Sequence, residues 1–105
     1  MAQFDVYHNP SKHSKKHYPL LLDIQSPYIS EIATRIVIPL GLASSFRNER
    51  MTNLAPEITF EDEELLLLTP QIASVPANIL KSPVGSLSHF REQIINALDF
   101  AIAGI

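Results

Sequence analysis

Short apolar segments separated by polar turns follow one another over the first three quarters of the chain. Segments of about four to eight residues that alternate or are rich in β-branched residues, bounded by Pro, Asn or Ser, are typical of β-strands. The predicted strands cover residues 3–7, 18–25, 34–40, 57–60, 64–69 and 71–75. Residues 43–57 have weak periodicity and predict a loop or a short helical turn, and Pro39 predicts a terminus or a bulge of its strand.

Residues 87–105 change to helical spacing. The apolar side chains that recur every three or four residues are Leu87, Phe90, Ile94, Leu98, Ala101 and Ile105. Such a stripe predicts an amphipathic helix that packs on a core, with Ser86 or Ser88 as its candidate N-cap. Strands and helix together predict a mainly β fold, in which a small barrel or strongly bent antiparallel sheet is closed by a long C-terminal α-helix. We expect residues 1–105 to form a single domain.

Three apolar residues of the predicted helix, Ile95, Phe100 and Ile102, lie off this stripe. Its last turn also carries Asp99 and no Lys or Arg, although the helix dipole favours cations at this end. We therefore expect a second apolar contact for the helix, and a C-terminal surface kept for a partner rather than for stability.

Composition narrows the class of protein. The chain has 105 residues, 46% of them hydrophobic, which suits one domain with a sizeable core. Its net charge of −3 gives no global basic field for nucleic acid, and the absence of Cys excludes a disulfide scaffold, a thiolate nucleophile and a Cys-ligated zinc site. Short apolar runs and an N-terminus without a signal-peptide pattern predict a soluble, cytoplasmic protein that binds no membrane.

Seven short segments occur in an order and at a spacing that carry a family resemblance. They are residues 3–7 (QFDVY), 23–26 (DIQS), 37–40 (VIPL), 73–76 (ASVP), 87–89 (LSH), 96–97 (NA) and 104–105 (GI). The ordered set resembles the CcdB family of plasmid and chromosomal toxins over essentially the whole chain. The resemblance implies an SH3-like β-barrel with a C-terminal helix, a homodimer, and a bacterial type II toxin without cofactor or catalysis. It also implies binding to the A subunit of DNA gyrase, trapping of the gyrase–DNA cleavage complex, and neutralisation by a CcdA-type antitoxin.

The residues that the resemblance assigns to gyrase binding lie in two segments. They are Tyr28, Ile29, Asp99, Phe100, Ile102, Ala103, Gly104 and Ile105. The family pattern ends in Trp-Gly-Ile, but Ala103 stands at the Trp position here. Because an anchoring aromatic at an interface commonly contributes about 2–4 kcal/mol, we expect Phe100, Ile102 and Tyr28 to compensate for its loss.

The charged clusters have both a functional and a plain interpretation. The residues predicted to bind an acidic, disordered antitoxin segment are His8, Lys12, His13, Lys15, Lys16 and His17. Charge runs are more often solvated faces, and residues 61–64 are interpreted in this way, as a hairpin tip. No metal site is expected, because His13 and His17 would need helical spacing and a third ligand.

The sequence contains no phosphate-binding Gly loop, nucleophile elbow or metalloprotease helix, in agreement with a non-catalytic poison. Two alternatives stay open. A MazF-like endoribonuclease toxin is similar in fold, but residues 20–28 lack the Gly and Arg of that branch, and single-strand binding needs a positive channel. The second alternative is a remnant that still binds the antitoxin but is inactive on gyrase because Ala103 replaces the Trp.

Overall fold

The strands of the chain form an antiparallel sheet in the computed structural model, which describes residues 1–29, 32–46 and 55–104. The strands are β1 (Asp5–His8), β2 (Leu20–Asp23), β3 (Thr34–Leu42), β4 (Glu57–Phe60), β5 (Glu63–Leu67), β6 (Ala73–Pro76) and β7 (Gly85–Ser86). The helix α1 covers Arg91–Ala103. The sheet order is β4-β5-β3-β2-β1-β7, and β6 pairs with the first half of β3. The prediction of a mainly β fold with a C-terminal helix is confirmed.

The register places apolar residues of neighbouring strands on one face. Leu22 of β2 lies opposite both Ile38 of β3 and Val6 of β1, and all three side chains are fully buried. The continuous run Leu65–Leu68 is buried as well, as its composition indicates. Leu65 and Leu67 belong to the core that α1 covers, whereas Leu66 and Leu68 pack in a separate cluster with Ala43 and Ala55.

The two ends of the sheet approach each other. The ring of Phe60 in β4 lies so close to Gly85 in β7 that a Cβ at Gly85 would be 2.6 Å from Phe60 Cζ. Glycine therefore permits a contact that any other residue would obstruct. This contact joins the first and last strands of the sheet order, as expected for the strongly curled sheet that the sequence predicts.

The helix covers the core with a wider face than the predicted stripe. Ile94 and Ala97 are fully buried, and Ile95 packs against the same core. The prediction that Ile95 lies off the core-facing side is therefore wrong. Ala101 is exposed because the last turn of α1 extends past the core.

The start of the helix differs from the prediction. A 3₁₀ turn at Ser88–Phe90 precedes α1, and Phe90 occupies the cap position without a side-chain hydrogen bond. Neither predicted serine caps α1, and Ser86 Oγ instead accepts the N–H of Ser88 at 3.2 Å.

Phe4 connects the sheet to the start of the helix. Its N–H donates to the C=O of Asp23 at 2.6 Å, and its own C=O accepts the N–H of Leu87 at 2.8 Å. Its φ of 73° is unusual for a bulky residue, and such strain persists only where surrounding contacts over-determine it. Burial of the ring, with the Arg91 guanidinium 5.6 Å from its centroid, provides those contacts.

Two strand predictions are corrected. Pro39 lies inside β3 rather than at a terminus or bulge, between the part that pairs with β6 and the part that pairs with β5. A residue without an N–H is tolerated there because neither ladder uses it. The sixth predicted strand, residues 71–75, begins later, at Ala73, because Thr69–Gln71 form a 3₁₀ turn.

Candidate functional site

The turn between β2 and β3 exposes two residues of the predicted gyrase-binding set. Tyr28 is 96% exposed and Ile29 46% exposed. The N–H of Ile29 donates to the C=O of Ser26 at 3.0 Å, and the N–H of Tyr28 donates to Ser26 Oγ at 3.2 Å. Pro27 occupies the second position of this turn, where its fixed φ is favourable. These two apolar side chains, the turn surface, therefore face outward from an ordered segment.

Gln25 lies beneath the turn surface and is almost completely buried. Its side-chain Oε1 accepts the N–H of Ile36 in β3 at 3.1 Å, and its Nε2 donates to the C=O of Ile29. Its backbone N–H donates to Oδ1 of Asp23 at 3.0 Å. One side chain thus joins β3 to the exposed turn.

Asp23 forms an ion pair with Arg35 across the β2–β3 ladder. Oδ2 of Asp23 accepts from Nη2 of Arg35 at 2.7 Å and from Nε at 2.8 Å. The Asp23 side chain is 0% exposed and that of Arg35 is 4% exposed, so the pair is nearly dry. Among the described residues, every buried side-chain polar atom has a hydrogen-bond partner.

Burial is the largest influence on the pKa values of Asp23 and Tyr7. It raises the pKa of the Asp23 carboxyl, while the hydrogen bond from the Gln25 N–H and the Arg35 guanidinium act in the opposite direction. Burial, and then the negative charges of Asp5 and Asp23, raise the pKa of Tyr7. The charged state of Asp23 therefore depends on its two partners.

Sequence reasoning did not assign a role to Asp23, Gln25 or Arg35. The first two were noted only as part of a family segment. A signal was present, because a charged residue inside an otherwise apolar strand is seldom buried without a partner. Asp23 and Arg35 each occupy such a position.

The end of α1 carries the remaining predicted gyrase-binding residues. Asp99, Ile102, Ala103 and Gly104 are exposed and form the helix-end surface, with Ile102 at 75%. Phe100 is half-buried. Ile105 lies outside the described residues.

Gly104 ends the helix through its backbone. Its φ is +73°, in the left-handed region, and its N–H donates to the C=O of Phe100 at 3.0 Å. This is the common glycine cap of a helix C-terminus. The helix-end surface is thus an ordered structure in the part of α1 that lies beyond the core.

The basic segment is a hydrogen-bonded turn rather than an open loop. The N–H of Lys15 donates to the C=O of Ser11 at 3.0 Å, and the N–H of Tyr18 donates to that of Ser14 at 2.9 Å. Nδ2 of Asn9 closes the turn on Ser14 Oγ at 2.9 Å and on the C=O of Tyr18 at 2.8 Å. The predicted antitoxin-binding residues, all exposed, are His8, Lys12, His13, Lys15, Lys16 and His17.

The basic segment, residues 8–18, is called the basic turn, and the hairpin tip at residues 61–64 is called the acidic tip. Both lie at the same end of the sheet. The N–H of Leu42, the last residue of β3, donates to the C=O of His17 at 3.1 Å. Leu42 also lies opposite Leu65, which follows Glu64 in β5. With neighbouring strands about 5 Å apart, the two charged segments flank β3 on opposite sides. Glu61 and Asp62 both have positive φ, as in a tight hairpin turn, and residues 61–64 are exposed, which confirms the predicted hairpin tip.

Within the described ranges, no group of three or more His, Cys, Asp or Glu side chains could hold a metal ion. In the same ranges, no helix combines the length and apolar character that crossing a bilayer requires.

A family model described as CcdB protein matches residues 3–104. The chain belongs to the CcdB family. CcdB proteins are toxins of CcdA/CcdB toxin–antitoxin systems, and the family acts as gyrase poisons rather than as catalysts. The match includes the turn surface, the basic turn and the helix-end surface of this CcdB-family chain.

Proposed function

We propose that this chain binds the A subunit of DNA gyrase and stabilises the gyrase–DNA cleavage complex. The turn surface and the helix-end surface are the contacts, and a CcdA-type antitoxin neutralises the toxin. A poison of this kind needs no catalytic residue, because it acts by binding one conformational state of its target more tightly than the others.

The observation that supports this proposal most directly is the exposure of large apolar side chains on ordered backbone. Tyr28 is 96% exposed and Ile102 75% exposed, although burial of either would stabilise the fold. Aromatic and aliphatic residues held outward in this way are typical of interaction surfaces. The family match supplies the class of target.

The same exposure indicates how Ala103 is compensated. Tyr28 and Ile102 have most of their surface free for a partner, whereas Phe100 already packs partly within the protein. We therefore assign the compensation for the missing Trp chiefly to Tyr28 and Ile102, with a smaller part for Phe100.

The decisive experiment is a gyrase cleavage assay with the purified protein. We expect linear DNA to accumulate only when gyrase and the toxin are both present. The same preparation is then incubated with total RNA in the absence of gyrase. RNA cleavage would support the MazF-like alternative, and inactivity in both assays with retained antitoxin binding would support an inactive remnant.

The proposed active form is a homodimer. In a two-fold dimer the same surface of each chain is used twice, so two helix ends can engage a two-fold gyrase A dimer symmetrically. The exposed Ile102 agrees with a partner at this end of the helix. Light scattering at micromolar concentration tests this assignment, and a monomer would contradict it.

The basic turn is the proposed contact for an acidic antitoxin segment. Because Asn9 and Ser14 hold the turn closed, its charged side chains project from an ordered base. Replacing Lys15 by Glu should weaken antitoxin binding by roughly ten-fold at low salt, and the difference should shrink at high salt. Isothermal titration calorimetry at two salt concentrations measures this, with Lys81→Glu, an exposed residue outside the turn, as the matched control. Equal weakening in the control would assign the effect to net charge alone.

A further inference from the structure

Gln25 is a buried polar residue, and both the oxygen and the nitrogen of its side-chain amide form hydrogen bonds. Its Oε1 accepts the N–H of Ile36 at 3.1 Å, its Nε2 donates to the C=O of Ile29, and it is 1% exposed. Buried polar groups are destabilising unless hydrogen bonds compensate for them. Here both bonds lead to backbone atoms, one in β3 and the other in the exposed turn.

The backbone of Gln25 is itself held by the buried ion pair of Asp23 and Arg35. Its backbone N–H donates to Asp23 Oδ1 at 3.0 Å, while Asp23 Oδ2 is held by Arg35 at 2.7 and 2.8 Å. A continuous series of bonds therefore runs from the buried ion pair through Gln25 to Ile29. Such a network is rigid when every member is satisfied, as these are.

The turn that Gln25 holds by this hydrogen bond carries Tyr28, the most exposed large apolar side chain among the described residues. Core stability does not require an outward-facing turn to be fixed. Binding does benefit, because a turn that is ordered in advance loses less conformational entropy when a partner docks.

We propose that Gln25 is a positioning residue that holds the Tyr28–Ile29 turn in the shape that binds gyrase, without contacting gyrase itself. This inference rests on the proposed function. A turn released from Gln25 exchanges between the ordered shape and open shapes, and only the ordered fraction binds. The apparent dissociation constant then rises by the inverse of that fraction. The association rate falls accordingly, while the dissociation rate of the formed complex stays unchanged.

The test is Gln25→Met, which keeps the length of the side chain and removes both of its hydrogen bonds. Association and dissociation rates of the full-length protein with purified gyrase A subunit are measured by surface plasmon resonance. Chymotryptic cleavage after Tyr28 under native conditions, followed by mass spectrometry, reports the order of the turn. With about a tenth of the turns ordered, we expect association roughly ten-fold slower and dissociation within about two-fold of wild type. Cleavage follows the open fraction instead, so it should be at least about ten-fold faster than in wild type, whose turns are about nine tenths ordered or more.

Two further variants separate positioning from general destabilisation. Ile58→Val removes one methylene from a buried residue of β4, which β5 and β3 separate from β2, and should leave both readouts within about two-fold. Ser26→Ala removes only the hydrogen bond that the N–H of Tyr28 donates at 3.2 Å. It should slow association by roughly three-fold and speed cleavage by at least about six-fold, as expected when about a third of the turns stay ordered. It provides the test if Gln25→Met does not fold.

Several outcomes would overturn the assignment. If wild-type protein binds gyrase and Gln25→Met associates with it at the same rate, Gln25 does not position the turn for binding. Faster dissociation with unchanged cleavage makes Gln25 a direct contact rather than a positioning residue. If wild-type protein does not bind gyrase A subunit, the proposed function itself fails, and the assignment of Gln25 fails with it.

Discussion

Replacing Arg35 by methionine should lower the free energy of unfolding by about 3–5 kcal/mol, because it leaves a buried carboxylate without its partner. Asp23 is 0% exposed, and Arg35 supplies two of the hydrogen bonds to it, at 2.7 and 2.8 Å. Methionine fills a similar volume but donates no hydrogen bond. Urea denaturation measures the effect as a lower midpoint with an unchanged slope. Lys81→Met, which removes an exposed positive charge, is the matched control and should stay within about 0.5 kcal/mol of wild type.

The pH dependence of Arg35→Met has a defined sign. Burial already raises the pKa of Asp23 and Arg35 opposes this, so loss of Arg35 raises that pKa further. Between the unfolded and folded pKa values the folded variant binds more protons than its unfolded chain, and its stability therefore increases as pH falls through this range. The deficit relative to wild type should shrink in acid. A deficit that stays constant from neutral to acidic pH would contradict the unpaired-carboxylate explanation.

Removing both charges should be milder than removing one. In Asp23→Leu combined with Arg35→Met, no charge remains buried, and such replacements of buried pairs are often nearly neutral. The double variant does lose the bond from the Gln25 N–H to Asp23, so full recovery is not expected. A double variant as unstable as Arg35→Met would show that packing, rather than an unpaired charge, dominates.

Deleting residues 102–105 should weaken gyrase poisoning by roughly 30-fold or more, since it removes Ile102, the proposed anchor of the helix-end surface, and interface anchors commonly contribute at least about 2 kcal/mol. Ala103 and Gly104 are exposed at the end of α1, so the deletion removes partner contacts and almost no core. The internal loss is the end of the last helical turn, with the bond from the Gly104 N–H to the C=O of Phe100. The thermal midpoint should therefore fall by no more than about 8 °C.

Bacterial killing without antitoxin and the gyrase cleavage assay measure this deletion in parallel. Asn78→Ala combined with Ser82→Ala, two exposed positions outside both proposed contact surfaces, is the control and should kill like wild type. Undiminished killing by the truncated protein would show that the helix-end surface is not the contact. A larger loss of thermal stability would show that these residues serve the fold instead.

The two halves of the candidate site differ in how far they could be predicted. Exposure of Ile102 is expected from its place off the apolar stripe, but its cause is that the last turn of α1 extends past the core, since Ala101 of the stripe is exposed as well. The support of Tyr28 by Gln25 could not be predicted, since it joins residues eleven positions apart, Gln25 and Ile36, through an amide whose orientation depends on β3. Local patterns report which residues are apolar, but not which distant backbone atom a side chain meets.

Apolar periodicity and turn residues, which act over a few positions, were enough to predict six strands, the C-terminal helix and the hairpin tip. They did not predict β7, whose Ser86 was a candidate N-cap of the helix. The sequence also determined the family, through the order of short segments. Three features depend on contacts between distant segments: the strand register that brings the side chains of Asp23 and Arg35 together, the close approach of Phe60 to Gly85, and the closure of the basic turn by Asn9. Register is decided when whole strand faces are buried together, and a shift of one residue would reverse every side chain, so no single segment contains that information.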